Sequence, residues 1–394
     1  MAPPAKHTRL FGSTSARTLQ CPAHYKLGRD IPDPPQSEAA AEGAMIHGVC
    51  EDILKQDMRI EDHPKWDELD EDQQNIVRTY VELVREVRDA RSDKGEDPLF
   101  WVEWWTQVPE LHPEWFGTAD AVVLHAGIGR LTIIDLKCGR LPVGVFEYGC
   151  EGDPMRPNPQ LGSYAISVMR HLPVEVQHRF TEVELIIVQP REGGIKRAVF
   201  PLSAFDNLRT RLLEAAQNAE SDNPRIEAGP ACHFCKVKPV CPEQRRMVLE
   251  DAKLDFALEG GTADELKPEE LHEVLKIADA AIEWGQSVKA YAERRLMAGD
   301  PLDGNWHLVP KKAKRIWKDE KAVVDVLMDA GLELEDVLTE NVRSPAQIEA
   351  ILKQKGLKLD LSDYIESVST GLKIAKVVDE GRSADNTTGP DEWD

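Results

Sequence analysis

Long apolar runs are missing from this sequence. No stretch approaches the roughly 18 consecutive apolar residues of a membrane-spanning helix. The opening MAPPAKHTRL also lacks the apolar segment of a secretory signal. A cytoplasmic location with no membrane partner is therefore expected. Positive charge is in deficit: 48 Lys and Arg face 70 Asp and Glu, a formal net charge of −22. Repulsion on that scale opposes the approach of a phosphate backbone and argues against a nucleic-acid partner without excluding one. No internal repeat is present. The cysteines are seven, an odd number, which in a cytosolic-looking chain favours thiols or metal ligands over a disulfide framework.

What is present is a globular composition, 41% hydrophobic and 30% charged, over 394 residues, enough for two or three structural regions. Charge is unevenly spread. Lys311, Lys312, Lys314, Arg315 and Lys318 surround Trp317, whereas the tail from Asp379 to Asp394 is acidic, turn-rich and disordered by composition. A local basic groove can coexist with an acidic exterior. Trp306, Trp317 and the lysines around them can engage single-stranded DNA by stacking and charge; a plain exposed basic segment is the alternative.

Helix signals come first along the chain. An alanine-rich helix is predicted from Ser37, a good N-cap, to Lys55, and an amphipathic one over 71–90 with Asp70 as its cap. FWVEWWTQV, ADAVVLH and RLTIIDLK read as strands, a helix follows over 158–170, and VELIIVQP reads as a fourth strand. Three strands, a helix and another strand predict a mixed α/β sheet covered by helices. Further on, helices are expected over 268–298, over 320–329 and after Ser344.

Asp135 and Lys137 interrupt the strand LTIIDLK two residues apart, so both point to one face. Between the second and third strands the loop AGIG, Ala126 to Gly129, fixes a symmetric hairpin register. It pairs His125 with Arg130, Leu124 with Leu131, Val122 with Ile133, Ala121 with Ile134 and Ala119 with Leu136. It also sets Asp120 opposite Asp135. Both faces are otherwise apolar, so the sheet should be covered on both sides. Opposed residues have Cβ atoms roughly 5 Å apart, and like charges so placed destabilise a sheet unless a cation intervenes. Mg²⁺ or Mn²⁺ suits two carboxylates, and Lys137 can help to neutralise the cluster and stabilise a developing anion. The plainer alternative is an Asp and a Lys marking a strand end that reaches solvent.

Three further signals are weaker alone. His47 lies in the alanine-rich helix with Glu51 one turn later on the same face. Imidazole suits Mn²⁺ better than Mg²⁺, although a lone helical histidine is more often structural. Gln160 and Tyr164 share the same i,i+4 relation and can present an amide and a phenol to a phosphate or base, or form ordinary helix surface. Cys232, Cys235 and Cys241 form C-x2-C-x5-C, a tight spacing that points to a metal centre. Zinc can complete its tetrahedron with His233 or Cys21, and a [4Fe-4S] cluster would take Cys21 as its fourth thiolate. Cys50, Cys138 and Cys150 fit as small apolar residues.

Taken in order, Cys21, EGAMIHGVCE, GTAD ending at Asp120, IIDLK with Asp135 and Lys137, QLGSY, and C-x2-C-x5-C resemble the Cas4- and RecB-like branch of the PD-(D/E)xK nuclease superfamily. The closest likeness is to the phage-associated DUF2800 family, with which PLDGNWHLVPKKAKRIWKDE and SPAQIEAIL also agree. The resemblance implies a restriction-endonuclease-like mixed central sheet flanked by helices, with a cysteine-ligated cluster module and a mostly helical C-terminal extension. It implies a nuclease domain over 1–245, a C-terminal region over 246–378 and a tail over 379–394. It further implies that His47, Asp120, Asp135 and the main-chain carbonyl of Leu136 hold Mg²⁺ or Mn²⁺ while Lys137 acts at the attacking water. Gln160 and Tyr164 then form a QxxxY motif that contacts DNA. Cys21, Cys232, Cys235 and Cys241 bind a [4Fe-4S] cluster joining the two ends of the domain. The expected function is a metal-dependent DNA nuclease, an exonuclease, acting on single-stranded DNA or duplex ends in phage or prophage recombination. A phage single-strand binding or annealing protein is the expected partner, and a non-catalytic DNA-end-binding scaffold is the alternative. Two features depart from the pattern: the second acid is Asp where many members carry Glu, and the stretch from Arg140 to Pro157 is longer than the usual link to the glutamine helix.

Overall fold

The computed structural model describes residues 8–90, 98–177, 179–256, 268–311, 313–338, 342–368 and 371–376. Its helices in chain order are α1 (Ser15–Gln20), α2 (His24–Leu27), α3 (Glu38–Gln56), α4 (Glu71–Asp89), α5 (Pro159–His171), α6 (Val174–Gln177), α7 (Leu202–Glu220), α8 (Pro242–Phe256), α9 (Pro268–Met297), α10 (Glu320–Asp329), α11 (Leu334–Val337) and α12 (Pro345–Gln354). The strands are β1 (Leu99–Gln107), β2 (Phe116–His125), β3 (Arg130–Leu136), β4 (Glu182–Gln189), β5 (Gly194–Pro201), β6 (Trp306–Pro310), β7 (Lys314–Trp317), β8 (Ile365–Val368) and β9 (Leu372–Lys376). They fall into two compact units, Met1–Leu271 and His272–Asp394. Residue 245, the expected end of the first region, lies inside α8.

In the first unit a five-stranded sheet runs in the order β1-β2-β3-β4-β5. β3 and β4 are parallel and the other neighbours antiparallel, so the sheet is mixed. A parallel pair needs a crossover, and α5 lies within it. One face is covered by α5 and α7, whose Leu161, Ala165, Phe205 and Leu208 join a core with Val122, Leu124, Ile133 and Leu185. On the opposite face, Ile46, Val49 and Ile53 of α3 and Ile76, Val77 and Tyr80 of α4 pack with Ala121, Val123, Ile134 and Ile186. Burial on both faces explains why β3 and β4 read as nearly continuous apolar runs.

Local chemistry starts the helices where expected. The Ser37 hydroxyl accepts from Ala40 N–H, and Asp70 and Gln73 form a reciprocal capping box. Asn158 Oδ1 accepts from the N–H groups of Gln160 and Leu161 at 2.9 and 3.3 Å, while its Nδ2 donates to Gly144 O at 2.7 Å. That cap fixes the start of α5, and with it Gln160, despite the long preceding stretch. The hairpin closes through Gly129 at φ +71, a left-handed conformation that suits glycine.

Its register matches expectation from His125–Arg130 to Ala121–Ile134, and the ladder ends there. The anticipated pairs of Asp120 with Asp135 and of Ala119 with Leu136 are therefore not ladder pairs. Leu136 N–H instead donates to the Asp120 carboxylate at 2.8 Å, so a side chain takes over from the main chain. Ala119 pairs on its other side with Trp104 of β1.

The second unit pairs β6 with β9 and β7 with β8, each antiparallel. α10, α11 and α12 bury Val323, Leu327, Val337, Ile348 and Leu352 around Trp317. Trp317 is only 8% exposed and its Nε1 donates to Arg343 O at 2.8 Å, which corrects the expectation that it stacks on a nucleic acid. Arg315 is held by Glu349 at 2.6 and 2.7 Å and Lys318 donates to Asp363 O, so part of the basic segment serves the unit's own packing. Trp306 stays partly exposed. Lys312 and the tail over 379–394 lie outside the described residues. Among the described residues, no helix is long and apolar enough to cross a membrane.

Candidate active site

Where β2 and β3 part, the chain gathers its charged residues. β2 carries Asp120 and β3 carries Asp135, with Lys137 just beyond its end. α3 contributes His47, whose Nδ1 lies 3.6 Å from Asp120 Oδ2. Lys137 Nζ lies 2.7 Å from Asp135 Oδ2 and donates to Gln160 Oε1 at 3.2 Å. Gln160 Nε2 in turn reaches Asp135 Oδ1 at 3.4 Å and the Tyr164 hydroxyl at 3.3 Å. His47, Asp120, Asp135, Leu136, Lys137, Gln160 and Tyr164 thus form one continuous constellation. Glu51 does not join it: its carboxylate pairs with Lys55 one turn on, at 2.5 Å.

Tyr164 is buried, and its ring closes against β2, where a Cβ on Gly117 would stand 2.7 Å from Tyr164 Cε1. Gly117 is therefore required by close approach rather than by backbone angle. Tyr164 orients Gln160, and Gln160 holds Lys137 against Asp135.

Glu103 is the site residue that sequence reading missed. The register pairs Val102 with Ala121 and Trp104 with Ala119, which puts Glu103 opposite Asp120. Its φ of +49 is a left-handed conformation inside a strand, one that costs a non-glycine residue on the order of 1–3 kcal/mol. Glu103 Oε1 lies 3.8 Å from His47 Nδ1. One ligand atom each from His47, Glu103 and Asp120 falls within 4.8 Å of the others, a spacing that suits a metal ion.

The electrostatics fit a cation. Burial opposes charge on His47, yet Glu103, Asp120 and Asp135 together hold its imidazole above the ordinary range. Burial and the neighbouring Asp135 push the Asp120 carboxyl upward. Burial also opposes charge on Lys137, but Asp135 and Asp120 raise its affinity for the proton. Asp135 is 2% exposed, and its Oδ2, although beside Lys137, has no well-angled hydrogen-bond donor. One buried and two half-buried acids this close, with an acceptor left over, could serve as a donor set for a hard divalent ion.

A second cluster lies in the same unit. Cys21, Cys232, Cys235 and Cys241 line one small cleft. Glu227 N–H points to Cys21 Sγ at 3.4 Å, Gly229 N–H to Cys232 Sγ at 3.4 Å and Gln20 Nε2 to Cys232 Sγ at 3.7 Å. Donors aimed at sulfur suit thiolates, while burial and the neighbouring Cys232 and Cys235 push the Cys21 thiol up in the absence of a cation. Hydrogen bonds bring the two chain segments together: Ala23 N–H to Arg225 O at 3.0 Å, Ala231 N–H to Gln20 Oε1 at 3.0 Å and Arg17 Nη2 to Phe234 O at 2.9 Å. Cys50 and Cys138 are buried in the core beside α3, and Cys150 is half-buried.

The fold and site define a helix-flanked mixed-sheet protein with a histidine–carboxylate cluster where β2 and β3 part and four cysteines lining one small cleft of the same unit. The chain belongs to the family DUF2800, described as a protein of unknown function, whose model matches residues 7–382. No curated protein matches the chain.

Proposed function

We propose that this chain is a metal-dependent DNA nuclease of restriction-endonuclease-like architecture, related to the Cas4- and RecB-like PD-(D/E)xK enzymes. One observation carries the reading: three acids, a histidine and a lysine held by Gln160 converge where β2 and β3 separate. A structural ion pair accounts for Lys137 with Asp135, but not for Glu103 and Asp120 both turned toward His47.

His47, Glu103, Asp120 and Asp135 would hold Mg²⁺ or Mn²⁺, with the Leu136 carbonyl as a further ligand. The ion supplies Lewis-acid polarisation of a phosphodiester and stabilisation of its developing charge. Lys137, fixed between Asp135 and Gln160, has ammonium protons to orient the attacking water and to meet negative charge on the phosphate. Gln160 and Tyr164 act as positioning residues, since Tyr164 is too buried to meet DNA by its ring face.

The four cysteines, which line one small cleft, would take a [4Fe-4S] cluster, with zinc as the alternative occupant. A cluster held there would act as a staple between the two ends of the unit. The proposed setting is phage or prophage DNA recombination, with DNA ends as substrate and a single-strand binding or annealing protein as partner.

The test is Mn²⁺-dependent cleavage of linear DNA labelled at the 5′ or 3′ end, single- and double-stranded. Wild type should cut. Lys137→Ala and Asp120→Asn should each lose at least about a hundredfold, the scale of removing one charge-stabilising group. Equal rates in wild type and Lys137→Ala would refute the mechanism. Binding of DNA ends without cleavage by wild type would make the protein a scaffold.

A further inference from the structure

A second feature of the first unit carries chemistry that the cleavage site does not use. An open cavity of about 890 Å³ lies between the start of β2 and the cysteine loop. Its lining is basic in a strongly acidic protein. Arg9, Arg17, Arg29 and Lys236 face it, against Asp33 and Glu114. Arg9 is committed to Glu114 at 3.0 Å and lies over the Tyr25 ring at 4.6 Å, while Arg17 holds the Phe234 carbonyl. Those two shape the wall. Arg29 is exposed and has no ion-pair partner among the described residues. Lys236 pairs at 3.0 Å with Asp33, whose side chain is 87% exposed, a solvent-facing contact that a phosphate can displace.

An aromatic ring stands in the same wall without apolar cover. Phe234 is 70% exposed, although the adjoining cysteine loop is anchored by hydrogen bonds, and the His233 ring braces it edge-on at 4.5 Å. Phe116 also lines the cavity. Phe116 precedes Asp120 by four residues on the extended β2, so about 13 Å separates cavity from acids, a distance that a few nucleotides cover.

We propose that this cavity is the track along which single-stranded DNA reaches the cleavage site, with Phe234 stacking on a base and Arg29 and Lys236 holding the flanking phosphates. Guanidinium and ammonium groups beside an exposed ring form the combination that binds a single strand without reading its sequence. This rests on the nuclease reading for the strand's destination, but its binding chemistry stands apart from cleavage. The track also offers DNA a locally basic approach on a chain of net charge −22.

The test is fluorescence anisotropy of the full-length protein with a 5′-labelled oligo(dT), in EDTA so that no cleavage occurs. Wild type should bind, and binding should weaken with salt. Phe234→Ala should lose about tenfold in affinity and Phe234→Trp should keep it. Arg29→Ala with Lys236→Ala should also lose about tenfold and flatten the salt slope by about 1.4, two phosphates' worth for a single strand. Unchanged visible and far-ultraviolet spectra confirm that each variant is folded. Wild-type binding that the substitutions leave unaltered overturns the proposal, as does binding of duplex alone or no binding. If oligo(dT) binds as described while Mn²⁺ supports no cleavage, the nuclease reading fails and the track stands. If cleavage proceeds while these variants bind normally, the track fails and the nuclease stands.

Discussion

Glu103 carries two costs at once, an unfavourable backbone angle and a carboxylate facing Asp120 across the strand pair. Both costs are borne in the folded state. Strain and like charge held together by the surrounding sheet are typical of a binding site rather than of a scaffold. Glu103→Gly should therefore stabilise the metal-free protein by about 1 kcal/mol, since glycine adopts positive φ freely and the acid cluster shrinks. The same change should lower Mn²⁺-dependent cleavage and weaken the rise in melting temperature expected of wild type on adding Mn²⁺. Calorimetry with and without Mn²⁺, beside the cleavage assay, measures both; a variant less stable without metal and fully active would contradict the assignment. Glu103 was not legible in the sequence for a geometric reason. The four-residue AGIG turn allowed register counting from β3 back to β2, whereas residues 108–115 between β1 and β2 form an irregular excursion with no countable register. Trp317 misled for another reason: its basic neighbours suggested exposure, while a separate small core lay around it.

At the level of elements, Arg191 joins parts that propensity alone would leave independent. Its guanidinium meets Glu42 of α3 at 2.8 and 2.9 Å, Asp72 of α4 at 2.6 Å and the Cys138 carbonyl beyond β3 at 2.9 Å. It thus sets α3, and so His47, against the sheet. Hydrogen bonds from Arg191 and then Gln73 hold the Glu42 carboxyl down at about 2, against an ordinary value of 4.5. A depressed carboxyl adds stability that is fully present above about pH 4.5 and lost as pH falls toward 2. Arg191→Ala should cost about 1–2 kcal/mol at pH 7 and reduce the loss of stability between pH 5 and 3. Urea unfolding at those pH values checks it, and an unchanged acid limb would contradict the clamp. The helices were largely legible because their caps are local: Ser37, Asp70, Asn158 and Ser344 each start a helix within a residue of expectation. β5 was not, since an edge strand with Lys196 and Arg197 at its centre and alternating half-exposure resembles a loop.

Over the whole molecule, the four cysteines decide what the first unit is made of. Anaerobically purified protein should absorb near ~400 nm, and Cys232→Ser should abolish that band and lower the first unit's unfolding midpoint. The core around Trp317 belongs to the other unit and should melt as before. Colourless protein with stoichiometric zinc would replace the cluster with a zinc site. The grouping of Cys232, Cys235 and Cys241 was legible from spacing. Joining Cys21 to them was not a matter of spacing at all, and the hydrogen bonds from Ala23 to Arg225 and from Gln20 to Ala231 supply the physical reason.

Those stitches also bear on how the protein is made. α1 and the segment bearing Cys21 leave the ribosome first, but their partners, residues 225–235, emerge only when nearly the whole unit has been synthesised. Closing so long a loop is entropically unfavourable until the intervening sheet has formed and brought its ends near each other. The amino-terminal segment must therefore wait on the nascent chain, and under the proposed cluster assignment metal delivery to the cysteines would follow translation of the unit.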